Sequence, residues 1–158
     1  MLELALFTQG LLILFISGIL YGFSDFIMRA LNRLPSRLAT DAMNAINISV
    51  YRSFFIVLFM LLPITSVILA ITSVLMNGWS ESAFVLSAGV VYIIGMFAVT
   101  GRGNVPLNEL LKSKAFNKND EDIWNKYYVR WTRLNTLRCV LGVISSLLFV
   151  IAAYQLLS

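Results

Sequence analysis

Residues 54–76 read FFIVLFMLLPITSVILAITSVLM, without one charged side chain. At 1.5 Å a residue this is about 34 Å of helix, enough to cross a hydrocarbon core about 30 Å thick. A soluble domain has no use for such a run; a bilayer does. Pro63 lies inside it, which predicts a kink whose freed carbonyl is met by a neighbouring helix or by Thr65 or Ser66. Three further apolar runs, at about 4–27, 83–100 and 139–157, have similar lengths. The first carries no basic leader, since Glu3 is its only early charge, and is read as a retained span rather than a signal peptide.

Composition agrees with this reading. The chain has 158 residues, 59% of them apolar and 13% charged, with a mean hydropathy of +0.83. A water-soluble domain of this size carries roughly twice that share of charge. Every backbone group in lipid needs an internal partner, so the expected fold is all-α: a polytopic membrane four-helix bundle in a single domain, 1–158, with cytoplasmic connecting helices in 28–53 and 101–138. Gly18-x-x-x-Gly22 and Gly142-x-x-x-Ser146 place small residues one turn apart, either for close helix approach or because glycine is common in spanning helices.

All 12 basic residues fall in two places. Arg29, Arg33, Arg37 and Arg52 lie between the first and second spans. Arg102, Lys112, Lys114, Lys118, Lys126, Arg130, Arg133 and Arg138 lie between the third and fourth. Lysine and arginine are retained on the cytoplasmic side, so both connections are expected there and both termini outside, in a multi-pass protein of a bacterial cytoplasmic membrane. The pI near 9.5 then reflects topology and contact with membrane lipids, not nucleic acid.

There is no histidine, which excludes histidine-ligated haem or metal and any imidazole-dependent catalysis. No cofactor is expected and no metal site is assigned. The lone Cys139 forms no internal disulfide. A transporter is disfavoured, because Asp25 and Arg29, one turn apart and suited to an ion pair, are the only charges near a span interior, and no inverted repeat is visible.

Polar and aromatic residues gather in the connections. Asn119 suits a helix N-cap, with Asp120, Glu121 and Asp122 in the first turn. From there Trp124, Tyr128, Trp131, Asn135 and Arg138 recur at helical spacing on one stripe, while Lys126, Arg130 and Arg133 occupy another face. The stripe reads either as an interfacial aromatic anchor or as the wall of a pocket, and the polar pair that continues it favours the pocket. In TGRGNVPLNELL (100–111), Gly101 and Gly103 are expected to break the third helix and Pro106 to start another, leaving free N–H groups beside Asn104 and Asn108. Those asparagines serve equally as caps and turn formers. The glycine pair is no dinucleotide fingerprint, since no strand precedes it. In the first connection, a helix from Pro35 or Ser36 carries Thr40, Asn44, Asn47 and Tyr51 on one stripe.

SGILYGFSDFIMRALNRLP (17–35), AMNAIN (42–47), NVPLN (104–108) and then W-x6-W-x3-N-x2-R (124–138), in this order, resemble the anthrone oxygenase family of small multi-span membrane proteins. The resemblance extends over essentially the whole chain, with Arg29 standing where many relatives have proline and Gly101–Gly103 replacing a more aromatic approach. It implies a four-helix membrane bundle and, from fungal members, oxidation of an anthrone to an anthraquinone by dioxygen. A deprotonated anthrone reacts with oxygen without a metal, so the protein would supply donors to the enolate oxygen, a base and an aromatic slot. On this basis Asn108, Asn135 and Arg138 are the expected catalytic donors, and Asn47, Asn104, Trp124, Tyr128 and Trp131 the substrate-binding residues. Asp25, Glu109 and Tyr128 are the candidate bases. The expected ligand is a flat aromatic or quinol-type small molecule. The alternative is a non-catalytic subunit or ligand-binding module of a larger membrane complex, or a homo-oligomer.

Overall fold

The computed structural model describes residues 1–113 and 120–157. Asn119, expected to cap the last helix, lies outside them. Five helices make up the described residues: α1 (Leu2–Leu31), α2 (Ser36–Val50), α3 (Phe54–Glu81), α4 (Ala83–Ser113) and α5 (Asp120–Gln155). Four of them, all but α2, are long and apolar enough to cross a bilayer, and the chain is a multi-pass integral membrane protein. Among the described residues there is no strand.

The apolar core follows α1, α3, α4 and α5 through Ile13, Ile16, Leu62, Val85, Tyr92 and Phe149. α1 and α5 form the most extensive helix pair. Their approach rests on small residues: a Cβ on Gly142 would collide with Ser17 Oγ and come within 2.6 Å of Met96 Sδ, and Ser146 Oγ donates to the Gly10 carbonyl at 2.8 Å. The Gly142/Ser146 pair is therefore a packing seam. Gly18 has nothing within 4 Å of where its Cβ would stand, so its pairing with Gly22 serves no helix contact.

Pro63 removes the N–H that would serve the Phe59 carbonyl, and the Tyr92 hydroxyl reaches that carbonyl from α4 at 3.5 Å. The neighbouring helix is thus the partner. Thr65 and Ser66 instead bond the Leu62 carbonyl, at 3.1 and 2.7 Å, where the Gln9 amide also donates. Gln9 and Ser66 bond each other at 2.8 Å, which satisfies a buried amide in the middle of the bundle.

The expected break at Gly101–Gly103 does not occur. α4 passes through two wide π-helical turns, Ile93–Ala98 and Thr100–Asn104, and continues across Pro106. The Val105 N–H closes the second turn on the Thr100 carbonyl, and this widening makes room for a proline that an ordinary helix interior rejects. Gly103 has a different use: its Cβ would lie 2.8 Å from Leu134 Cδ1, so its absence lets α5 close in. No free helix N-terminus forms at Pro106, and the free N–H groups expected there are absent. A third π-turn, Phe23–Ile27, interrupts α1 at the same end of the bundle.

Candidate functional site

Two of the wide turns, Phe23–Ile27 and Thr100–Asn104, border a cavity of about 210 Å³. α1 contributes Leu20 and Phe23 to its wall, α2 Met43 and Asn47, and α3 Phe55 and Phe59. α4 contributes Thr100, Asn104 and Asn108, and α5 contributes Trp131 and Arg138. Residues from both basic connections and from the ends of all four spans therefore meet in one place. Helical spacing explains α5's share: Trp124, Trp131, Asn135 and Arg138 are all buried on its inward stripe, while Lys126, Arg130 and Arg133 are exposed.

Arg138 is the centre of the polar wall. It is 5% exposed, and among the described residues no carboxylate pairs with it. Nη1 donates to Thr100 Oγ1 at 2.9 Å and Nη2 to Asn135 Oδ1 at 2.6 Å. The guanidinium carbon stands 5.7 Å from the Trp131 ring centroid, a cation–π contact that offsets part of the desolvation. Asn135, wholly buried, uses Nδ2 on the Leu20 carbonyl and on Ser24 Oγ, both at 2.7 Å. It therefore ties α5 to α1 and holds the arginine from behind without lining the cavity.

An aromatic stack continues this wall. Trp131 packs against Phe23 at 5.8 Å and Tyr127 at 6.3 Å, and Tyr127 packs against Trp124 at 5.8 Å. The Tyr127 hydroxyl donates to Asn108 Oδ1 at 2.8 Å, and Asn104 Nδ2 donates to the Trp131 carbonyl at 3.2 Å. Among the described residues, four wall residues keep a buried atom with no partner within hydrogen-bonding geometry: Asn47 Nδ2, Asn104 Oδ1, Trp131 Nε1 and Arg138 Nε. Each such atom costs about 1–3 kcal/mol when left unmet, so the cluster is unusual for a purely structural core.

Of the residues selected from sequence, Asn47, Asn104, Asn108, Trp131 and Arg138 line the cavity. Trp124 and Tyr128 do not: the Trp124 indole turns to Asn32 Oδ1 at 2.9 Å and stacks on Tyr128 at 6.4 Å, on the far side of Tyr127. Tyr127, missed in the sequence, does not line the cavity either but is the buried tyrosine that holds the Asn108 amide behind its wall. It lies three residues after Trp124 and four before Trp131, a spacing as helical as that of Tyr128, so the period alone did not separate the two. Thr100 was missed because it ends an apolar run and its partner, Arg138, is distant in sequence. None of the candidate bases reaches the cavity: Asp25 pairs with Arg29 on the surface, Glu109 is exposed, and Tyr128 lies behind the stack.

A polytopic helical membrane protein with a small, mostly apolar cavity at one end of its bundle, walled by amides and one uncompensated arginine, is the class defined by this geometry. The sequence model of a family described as anthrone oxygenase matches residues 50–148, more than half of the chain, and the chain belongs to that family. The match takes in Asn104, Asn108, Trp131 and Arg138 and leaves α1 and the Asn47 wall outside it. No curated protein and no solved structure matches the chain. The family assignment points to oxygenase-type chemistry.

Proposed function

We propose that the chain is a membrane-embedded oxygenase that binds a flat, enolisable aromatic ketone or quinol in the cavity and presents its anion to dioxygen. The observation that carries this reading is Arg138: a buried cation with no carboxylate partner among the described residues, in a wall whose other polar groups are all neutral. A lone buried charge is costly, and an anionic ligand oxygen beside it relieves that cost. For an anthrone, the positive charge stabilises the enolate formed when the ring methylene loses a proton to water. The carbanion then adds dioxygen, forming a C–O bond, and takes up a proton to give a hydroperoxide. Loss of water from the hydroperoxide leaves the quinone, so anthrone and O₂ become anthraquinone and H₂O.

Asn47 and the Trp131 indole are the further donors for the substrate's oxygens, and the Trp131, Phe23 and Phe59 rings supply the faces for a planar ligand. Under the positive-inside rule the cavity lies at the cytoplasmic leaflet, with both termini outside. The test is oxygen uptake and quinone absorbance with purified protein in nanodiscs supplied with an anthrone. Arg138→Gln is expected to lower turnover by about 100-fold or more, the usual cost of losing one oxyanion donor. Turnover within a few-fold of the parent in that variant would sink the assignment.

A further inference from the structure

The cavity wall divides sharply by exposure. Arg138 and Asn104 are buried, and Asn47, Thr100 and Asn108 are partly covered. Three wall residues are exposed: Ile19 at 36%, Met60 at 47% and Tyr51 at 55%. Ile19 belongs to α1 and Met60 to α3. Met60 is six residues past Phe54, about 9 Å into the helix, and Ile19 is a comparable distance from the π-turn end of the first span. Both therefore stand at hydrocarbon depth in a core about 30 Å thick, and Tyr51, just before α3, stands at the interface where tyrosine is at home. The open side of the cavity faces acyl chains, and its jambs are aliphatic.

Resting on the ring-binding reading above, we propose that the ligand is the ring head of a tail-bearing lipid. It is a quinol or phenol with a long aliphatic chain, which slides in sideways between Ile19 and Met60 and leaves its tail in the bilayer. Size supports this. At about 210 Å³ the cavity falls below the roughly 300 Å³ at which ordinary ligand pockets begin, so it encloses a ring and not a ring with its chain. A tail left in the lateral opening keeps its contact with lipid and demands no cavity space.

The polar end agrees. Among the described residues, Asn47 Nδ2, Trp131 Nε1 and Arg138 Nε are donors with no partner and Asn104 Oδ1 an acceptor with none. A ring with one hydroxyl and a second oxygen satisfies both kinds, with modest side-chain adjustment.

Photolabelling in nanodiscs tests this, using a quinol with a diazirine on its tail a few carbons from the ring, followed by peptide mapping. Label is expected on Ile19, Ile56 or Met60 and is displaced by excess unlabelled tailed quinol. Met60→Trp, which narrows the opening at a lipid-exposed position, is expected to lower labelling at least tenfold, and Met60→Leu to restore it. Label confined to residues 105–110, or label insensitive to competitor, overturns the proposal. A parallel arm with a tailless ring separates the two readings. Turnover of that ring without tail labelling refutes the tail and leaves the oxygenase standing; competed tail labelling without turnover of any ring does the reverse.

Discussion

Replacing Asn135 with aspartate isolates the electrostatic role of Arg138 from its structural one. Asn135 Oδ1 already accepts from Arg138 Nη2 at 2.6 Å, so Asn135→Asp puts a carboxylate of the same shape against the guanidinium. The new pair is worth about 4 kcal/mol at 4 Å for an effective dielectric near 20, which offsets much of the cost of burying the acid. The Ser24 hydroxyl, now 2.7 Å from Asn135 Nδ2, can turn to donate, but the new carboxylate oxygen faces the Leu20 carbonyl oxygen where Nδ2 had donated, so that bond is lost and the two acceptors repel. With the new ion pair offsetting this, the unfolding temperature in detergent is expected to fall only modestly.

Anion binding responds differently. A carboxylate about 4–8 Å from the enolate opposes it by about 4–2 kcal/mol at the same dielectric, a loss of roughly 700- to 30-fold. Oxygen uptake measured beside thermal unfolding reads both quantities. Turnover within threefold of the parent in a folded Asn135→Asp protein would refute the claim that an uncompensated cation drives the chemistry. Asn135→Ala serves as the contrast: it leaves Arg138 Nη2 without that acceptor, at about 1–3 kcal/mol, and strips the second bond from the Leu20 carbonyl, which the Phe23 N–H still meets, so stability and turnover fall together.

Gly142→Val drives a side chain into Ser17 and Met96 and is expected to cost about 1–3 kcal/mol by overpacking, seen as a lowered unfolding temperature; Gly18→Ala, with open space around it, is expected to cost almost nothing. Tyr92→Phe strips the long bond to the Phe59 carbonyl and is expected to destabilise by about 0.5–1.5 kcal/mol on the same melt, with the cavity intact. Trp124→Phe removes the bond to Asn32, outside the cavity, so the melting temperature is expected to fall while the KM for an anthrone stays put. Leu157→Cys, at an exposed position near the C-terminus, is expected to react with a membrane-impermeant maleimide on intact cells; labelling only after lysis would reverse the topology.

The four spans were readable residue by residue because a bilayer imposes length and polarity on a helix directly. The uncharged run at 54–76 needed no knowledge of its neighbours. Five of the selected residues were legible for a similar reason: amides, an indole and a guanidinium at helical spacing beside apolar spans have few uses in lipid. Pairings across the bundle were not legible. Tyr127 and Tyr128 differ by one position, and only the orientation of α5 against α4 decides which one meets Asn108.

Sequence by itself determined that this chain crosses a membrane on apolar helices and that its basic residues gather in two connections, since transfer into hydrocarbon is a property of each segment alone. Tertiary structure decided that α4 widens into π-turns instead of breaking at its glycines, that Asn135 stands behind Arg138, and that the exposed Ile19 and Met60 join the cavity wall. These are outcomes of which helix faces touch. A partner for a carbonyl, a cation or a ring is chosen by neighbours as far as 136 residues away, as Ser146 and Gly10 are, and no local pattern encodes that choice.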